Sequence, residues 1–188
     1  MTSVTDLRST ETRYEYSNNN LTEEIVNNET KMTYTYDSYH NVKTATTQEG
    51  MVYNFVYDTY GNNTSVSIVS GNVAITSTAT YTTDGNRLDK TTDALGKETK
   101  YSYNADTNIL EWVQYPNDSE TTRTNYTYDS MYRVASVAAN TNTGTALTAS
   151  YTYADDLLTQ IETPTTTYDF TYGNFSLRTE VSIGNRDL

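Results

Sequence analysis

Tyr53-Asn54-Phe55-Val56-Tyr57-Asp58-Thr59-Tyr60-Gly61-Asn62 is the stretch that decides the fold of this 188-residue chain. Side chains alternate along a strand, so Phe55 and Tyr57 share one face. The carboxylate of Asp58 is suited to accept hydrogen bonds from backbone N–H groups two residues further on, which opens a turn. Gly61 and Asn62 enter positive φ at little cost, as a tight hairpin turn with a following bulge requires. The stretch therefore predicts a β-hairpin.

The pattern recurs eight times at intervals of 19 to 25 residues, which predicts a repeat architecture with a period of about 22 residues. Every copy has Tyr at the second aromatic position, which we call the anchor column, and seven have an aromatic residue two positions earlier. Because the anchor column excludes Phe, its hydroxyl is predicted to bond to backbone or ordered water, while its ring stacks on that of the next repeat. The anchors are Tyr16, Tyr36, Tyr57, Tyr81, Tyr103, Tyr128, Tyr153 and Tyr172, and the earlier column is Tyr14, Tyr34, Phe55, Ala79, Tyr101, Tyr126, Tyr151 and Phe170.

Turn-forming residues follow the anchors. Asn104 stands at the position of the turn Asp in the fifth copy, and His40 stands at the position of Gly61 in the second. The turn after Tyr172 is predicted to be shortened, and residues 138–149 are predicted to be a loop of small and polar residues. The predicted turn residues are Asp37, Asp58, Gly61, Asn62, Asp84, Gly85, Asn86 and Asp129.

Composition agrees with an ordered β protein. The net charge is −12 and the aliphatic content is low, which ordinarily favours disorder. The 19 Tyr residues reverse that expectation, because they recur at fixed spacing and each can bury a large ring. We predict an all-β fold, a repetitive antiparallel β-hairpin ribbon or sheet, with residues 1–13 as a leading segment and 14–188 as one continuous repeat array.

Charge and residue usage limit the possible partners. The acidic balance argues against nucleic acid and anionic membranes, both of which call for basic surfaces. The absence of Cys excludes disulfides and thiol chemistry. No apolar run is long enough for a transmembrane helix, and residues 1–30 lack a signal-peptide pattern. If the protein is exported, the chain is a piece of something larger or leaves by a route that needs no such signal.

The decapeptide resembles the YD (Rhs) repeat, whose consensus runs close to Tyr-x-Tyr-Asp-x-x-Gly-Asn. The likeness extends from Tyr14 to about Asn174. The specific matches are Tyr36-Asp37, Tyr57-Asp58 to Gly61-Asn62, Asp84-Gly85-Asn86 and Tyr128-Asp129. It implies long β-hairpin ribbons that coil into hollow shells, as in bacterial polymorphic toxins, wall-associated proteins, insecticidal toxin complexes and teneurin-like proteins. In the toxins such a shell encloses a C-terminal effector that begins at an Asp-Pro-x-Gly-Arg-like motif. This sequence has neither that motif nor an effector, so it resembles a part of a shell wall or ribbon.

Catalysis finds little support, and no enzyme activity, metal or other cofactor is predicted. His40 is the only His and lies in a turn. The adjacent Asp155 and Asp156, like the turn Asp residues, supply few carboxylates for Ca²⁺, which takes six to eight oxygen ligands. We therefore predict a non-catalytic scaffold, a segment of a secreted or cell-surface bacterial protein that forms a toxin-shell wall or a surface fibre.

Carbohydrate binding is the alternative function. Tyr rings flanked by Asn, Asp and Thr suit the faces and hydroxyls of sugars, and the candidate contacts are the turn residues Tyr39, Tyr60 and Tyr132. The expected partners are neighbouring repeats of a longer chain, an enclosed effector or surface carbohydrate. Because open strand edges pair with other chains, we also expect the isolated chain to associate end to end or edge to edge.

Overall fold

The computed structural model describes residues 2–5, 10–119, 122–140 and 146–185. They form seventeen β-strands and one short 3-10 helix, which confirms the predicted all-β fold. The chain divides into two compact units, Met1–Glu98 and Thr99–Leu188.

The first unit is an antiparallel meander in which each strand pairs with the next one in sequence. Thr, Tyr and Val dominate these strands, as expected for residues that pack well on a pleated surface. Its strands are β1 (Thr2–Thr5), β2 (Glu11–Ser17), β3 (Asn20–Val26), β4 (Glu29–Tyr36), β5 (Val42–Thr47), β6 (Val52–Tyr57), β7 (Asn63–Ser70), β8 (Val73–Tyr81) and β9 (Leu88–Thr92).

The second unit repeats this arrangement of consecutive antiparallel pairs. Its 3-10 helix, Asn174–Ser176, lies in the turn before the last strand. The strands are β10 (Glu98–Tyr103), β11 (Leu110–Gln114), β12 (Thr124–Tyr128), β13 (Val134–Asn140), β14 (Ala146–Ala154), β15 (Leu157–Glu162), β16 (Thr166–Tyr172) and β17 (Arg178–Asn185).

One sequence interpretation needs correction. The predicted loop over residues 138–149 is mostly strand, because Ala138 pairs with Thr148 and Asn140 with Ala146; residues 141–145 lie outside the described residues. Small side chains suggested a loop there, but Ala and Thr fit a strand when a partner strand supplies the hydrogen bonds. Within residues 1–13, β1 pairs with β2, which begins at Glu11.

The structure buries few side chains. Among the described residues, the buried hydrophobic ones are Ile25, Ala45 and Val113, with exposed fractions of 6%, 6% and 5%. Two of them lie opposite the earlier aromatic column, since Ala45 pairs with Tyr34 and Val113 with Tyr101. The apolar packing is therefore spread along the hairpins instead of being gathered in one core.

Candidate functional site

The anchor tyrosines lie at equivalent points in all eight hairpins. Each is at or next to the last residue of a strand, and the register of its hairpin shifts at the step into the anchor. In the third copy Val56 pairs with Ser65 but Tyr57 pairs with Asn63, so Thr64 is the extra residue of a β-bulge. The anchors pair with Leu21, Val42, Asn63, Leu88, Leu110, Val134, Leu158 and Arg178, in chain order.

Anchor hydroxyls bond to the backbone of the preceding hairpin in at least five repeats of the described part of the chain. In each case the tyrosine O–H donates to a main-chain carbonyl at ordinary hydrogen-bond distance. The pairs are Tyr36 with Leu21 (2.7 Å), Tyr57 with Val42 (3.0 Å), Tyr81 with Asn63 (3.0 Å), Tyr153 with Val134 (3.0 Å) and Tyr172 with Leu158 (2.7 Å).

The acceptors follow a rule that links successive repeats. Leu21 is the bulge partner of Tyr16, and its carbonyl accepts from Tyr36. Val42 is in turn the bulge partner of Tyr36, and its carbonyl accepts from Tyr57. Each such hydroxyl therefore fastens its own hairpin to the bulge beside the previous anchor. The stacking of successive anchor rings stays a prediction.

Three turns that follow anchors share one hydrogen-bond pattern, and we call them YD turns: Asp37–Asn41, Asp58–Asn62 and Asp129–Arg133. In the second, Asp58 Oδ1 accepts from the backbone N–H groups of Tyr60 and Asn62, each at 2.9 Å. Its Oδ2 accepts from Asn62 Nδ2 at 3.1 Å, so one carboxylate holds both ends of the turn. Loss of solvation acts to raise the pKa of Asp58, but the hydrogen bonds from Asn62, Tyr60 and Gly61 outweigh it and the pKa lies below its ordinary value.

The other two YD turns use the same geometry with different side chains. Asn41 Nδ2 donates to Asp37 Oδ2 at 3.0 Å, and this bond is the main cause of the lowered pKa of Asp37. In the third turn, Arg133 replaces Asn: its backbone N–H and its Nε bond to the two oxygens of Asp129 at 3.0 and 2.8 Å. These bonds, the backbone one first, lower the pKa of Asp129.

The fourth position of the YD turn requires a left-handed backbone. Gly61 has φ +86°, and the equivalent residues His40 and Tyr132 have φ +67° and +63°. Tyr132 is thus equivalent to Gly61, whereas Tyr39 and Tyr60 occupy the position before it. The sequence interpretation grouped these three tyrosines, but the structure places them at two different positions of the turn.

Other anchors are followed by variants of this turn. Asn104 Oδ1 accepts from the backbone N–H groups of Asp106 and Thr107, at 3.0 and 2.9 Å. Asp84 accepts from the Thr82 hydroxyl and, at 3.2 Å, from the Asn86 backbone N–H. The bond from Thr82 is the main cause of the lowered pKa of Asp84. In this turn Gly85 has φ +71°.

The turn after Tyr172 is not shortened, contrary to prediction. The Gly173 N–H donates to the Leu177 carbonyl at 2.9 Å, as the Asp58 N–H donates to the Asn62 carbonyl at 3.0 Å. Gly173 therefore occupies the position of the turn Asp. The left-handed residues of this turn are Phe175 and Ser176, with φ +64° and +59°.

Two further turns of this kind lie at the opposite ends of the strands, and sequence reasoning indicated the one at Asp93–Lys97 but missed the one at Thr47–Met51. Asp93 Oδ1 accepts from the backbone N–H groups of Leu95 and Lys97, at 2.8 and 2.9 Å, and Gly96 has φ +77°. In the second of these turns, Thr47 Oγ1 accepts from the Met51 N–H at 3.3 Å. In the sequence, both turns have Gly three residues after Asp or Thr, but no anchor Tyr precedes that Asp or Thr.

Neighbouring turns also contact each other. His40 Nδ1 lies 3.0 Å from Asn20 Oδ1, and Asn62 Nδ2 donates to the Gly85 carbonyl at 2.7 Å. Arg133 extends further, with its guanidinium 4.3 Å above the ring of Tyr153 and Nη1 bonded to the Asp155 carbonyl. These contacts form a second set of links between repeats, beside the anchor hydroxyls.

The three candidate glycan contacts are all exposed, at 83% for Tyr39, 64% for Tyr60 and 63% for Tyr132. Tyr39 and Tyr60 line one cleft of about 200 Å³ together with Asn41 and Asp58. Tyr132 instead lines a pocket of about 300 Å³ in the second unit, beside Tyr126 of the earlier column, the anchor Tyr128 and Asp129. The structure thus brings two of the three together.

Tyr60 also has a packing role. Its ring lies so close to Gly85 that a Cβ on that glycine would approach Tyr60 Cγ and Cδ2 to 2.4 Å. Its hydroxyl donates to the Thr83 carbonyl at 3.3 Å. Only glycine fits at position 85 without movement of the ring.

Within the described ranges, no group of three or more His, Cys, Asp or Glu side chains is placed to hold a metal ion. In the same ranges, no helix has the length and apolarity needed to cross a membrane.

Hairpins of one pattern, joined by hydroxyl-to-carbonyl bonds and turn-to-turn contacts, define a repeat β-scaffold of the YD type. No protein-family model matches the chain, and no curated protein matches it. Solved structures do match: the Tc holotoxin pore of Photorhabdus luminescens has a TM-score of 0.77 at 16% identity and covers 94% of this chain. The TcdB2–TccC3 complex has a TM-score of 0.70 at 15% identity over 96% of this chain.

These likenesses establish the fold, which is that of the YD/Rhs-repeat shells of Tc toxins. The chain spans 11% of the length of each of the two matched chains.

Proposed function

We propose that this chain is a non-catalytic structural scaffold, a segment of the wall of a larger YD/Rhs-repeat protein that is secreted or lies on a bacterial cell surface. The observation that carries the proposal is the ladder of anchor hydroxyls, in which at least five tyrosines of the described residues bond to the bulge of the preceding hairpin. Such links are made between equivalent units, so the architecture extends by repetition. The expected partners are neighbouring repeats of a longer chain and an enclosed effector.

A role in a wall suits this structure because each hairpin is stabilised by the adjacent repeats. A single hairpin is marginal in water, and few side chains here are buried. Each repeat therefore depends on the bonds and packing supplied by the next. The similarity to Tc holotoxin structures supports the shell form of wall over the open fibre.

The test is made on the full-length protein that contains this segment. Negative-stain electron microscopy should show a hollow particle, and a downstream domain should resist protease until urea opens the wall. Particles with no cavity and a downstream domain cut at once in buffer would contradict the shell. Extended fibres would support the surface-fibre form of the scaffold instead.

Carbohydrate binding is the second candidate, and the cleft of Tyr39 and Tyr60 is the observation that favours it. Two exposed aromatic rings with Asn41 and Asp58 beside them offer stacking and hydrogen bonds to one sugar ring. A glycan array should be probed with the wild type, with Tyr39→Ala and with Tyr115→Ala, a tyrosine 51% exposed outside the cleft. Binding lost only in Tyr39→Ala supports the site, and no binding to any glycan rejects it. Tyr60→Ala is less informative because the Tyr60 ring packs on Gly85.

A further inference from the structure

Strand β8 extends past its neighbour β9 at one end. Its pairs with β9 begin at Thr78, whereas its pairs with β7 continue to Val73. Residues Val73–Ser77 therefore pair on one side only, and within the described ranges no strand pairs with their other side. A groove of about 300 Å³, lined in part by Ser77 and Thr92, marks the step at which β9 ends.

The open side of β8 presents unpaired backbone groups. The Thr82 N–H donates to the Arg87 carbonyl across the same edge, so the even-numbered residues of β8 direct their N–H and C=O groups toward β9. By alternation, Ala74 and Thr76 direct theirs outward beyond the end of β9. An exposed row of this kind is a template for an added strand.

The side chains of this edge do nothing to prevent pairing. Val73 and Ile75 are 62% and 50% exposed, and residues 73–78 are all exposed. The 25 residues from 59 to 83 contain no charged side chain, in a chain whose net charge is −12. Charged residues and Pro are the usual protection of exposed edges, and this edge has neither.

We propose that this edge pairs with the same edge of a second copy of the chain. In an antiparallel pair centred on Ile75, Ala74 of one copy exchanges hydrogen bonds with Thr76 of the other, so every outward group finds a partner. The two Ile75 side chains then lie directly opposite each other. Because the rest of the chain is acidic, the uncharged edge is where two copies meet with least repulsion.

The size of the edge sets the strength of the association. Five residues per copy bury less than the roughly 1,000 Å² of a stable interface, so the dimer is weak and concentration-dependent. Salt strengthens it by screening the acidic surfaces. The pairing requires only a folded β7–β8 hairpin, so it can be tested independently of the scaffold role. If the scaffold role holds, this edge is one by which a wall segment is joined to another.

Sedimentation velocity tests the proposal on the full 188-residue chain, between about 10 µM and about 500 µM, a range suited to a small interface. The wild type should shift from the 21.2-kDa monomer toward the dimer as concentration or NaCl rises. Ile75→Lys and Ile75→Glu should each remain monomeric, because like charges directly opposite repel. An equimolar mixture of the two variants should recover the dimer, because the opposed charges then attract.

Two further variants separate pairing from folding. Thr76→Pro removes an outward N–H but leaves the bonds to β7, so it should abolish the dimer with an unchanged circular dichroism spectrum. Val56→Lys is the matched control, because Val56 is 54% exposed but lies on β6, which pairs on both sides, and it should leave the dimer intact.

Four outcomes would overturn the assignment. They are a monomeric wild type at every concentration, a dimer insensitive to Ile75→Lys, a mixture of charged variants that stays monomeric, and a dimer abolished by Leu147→Lys instead. The last would point to β14, where the pairs with β15 begin only at Ser150.

Discussion

The hydroxyl of Tyr57 donates to the main-chain carbonyl of Val42 over 3.0 Å, and Val42 is the residue that pairs with the preceding anchor, Tyr36. One side chain therefore connects three consecutive features: its own hairpin, the bulge of the previous hairpin and the anchor beside that bulge. A β-bulge leaves an irregular ladder, and the tyrosine hydroxyl satisfies a carbonyl at that irregularity. The strict preference for Tyr over Phe in this column has a direct physical cause.

Tyr57→Phe should destabilise the protein by about 1 kcal/mol, because the carbonyl of Val42 loses its donor while the ring is retained. Urea denaturation should show a lower midpoint with an unchanged m-value. Tyr153→Phe should act similarly in the second unit, where the carbonyl of Val134 loses its donor.

The matched control is Tyr39→Phe, which removes a hydroxyl from a side chain that is 83% exposed. Its midpoint should equal that of the wild type. Equal losses for Tyr57→Phe and Tyr39→Phe would mean that the anchor hydroxyls have no special role.

The carboxylates of the YD turns should make stability depend on acid pH. The folded pKa of Asp58 lies below its ordinary value of 3.8, so its contribution is fully present above that value and is lost as the pH falls through the lowered folded pKa. The same sign holds for Asp37 and Asp129, whose pKa values are also lowered. Urea midpoints measured from neutral pH downward should therefore fall from about pH 4, near the unfolded pKa of Asp, and below.

Substitutions at Asp58 separate hydrogen bonding from charge. Asp58→Ala should lower the midpoint at neutral pH, because it removes every side-chain acceptor of the turn. Asp58→Asn should lose less, since Asn104 already serves as the acceptor in the fifth copy. Both variants should have a flatter acid limb than the wild type, and an acid limb as steep as that of the wild type would contradict the assignment.

The sequence predicted the features that depend on local chemistry. The period of the aromatic columns located the hairpins, because strand faces and turn residues are set within about ten residues of chain. The sequence also indicated that the anchor hydroxyl has a use, although not which carbonyl accepts it. That acceptor, such as Leu21 for Tyr36, is fixed by the register between neighbouring hairpins, which no single repeat encodes.

The incorrect predictions concern features that depend on contacts between repeats. Residues Ala146–Ala149 read as loop but form a strand because β13 pairs with them, and the extent of a strand depends on its partner. The turn after Tyr172 was predicted to be shortened, yet it has full length, and its left-handed residues include Phe175, which intrinsic preference disfavours at positive φ. The turn-to-turn contacts, such as Tyr60 on Gly85, join residues from different repeats and have no sequence signature.

High pH should also destabilise the protein, through Tyr36. Burial raises the pKa of this hydroxyl above its ordinary value of 10.0, so stability is fully present below that value and is lost as the pH rises through the raised folded pKa. Deprotonation also removes the donor to Leu21. Urea midpoints should fall above about pH 10, and Tyr36→Phe should reduce the steepness of that fall. An equally steep fall in the variant would assign the effect to other groups.

Gly85→Ala should be more destabilising than the same change at Gly61. Both glycines have positive φ, +71° and +86°, which costs a side chain about 1 kcal/mol. A Cβ at Gly61 meets open space, and His40 and Tyr132 occupy the equivalent position in other repeats. A Cβ at Gly85 instead overlaps the Tyr60 ring at 2.4 Å, so the ring must move. We expect a loss of about 1 kcal/mol for Gly61→Ala and about 2 to 4 kcal/mol for Gly85→Ala, measured by urea denaturation.

A double-mutant cycle identifies the cause of the larger loss. If the overlap with the ring is responsible, Gly85→Ala should cost much less in a Tyr60→Ala background, and the coupling energy should be roughly 1 to 2 kcal/mol in favour of the double variant. The backbone strain at position 85 is present in both backgrounds and cancels in the cycle. Gly50→Ala combined with Tyr60→Ala serves as the matched control, because Gly50 also has positive φ, is not adjacent to Tyr60, and has no neighbour within 4 Å of its Cβ site beyond its adjacent residues. Additive losses at Gly85 and Tyr60 would show that the turns of successive repeats are not packed through this contact.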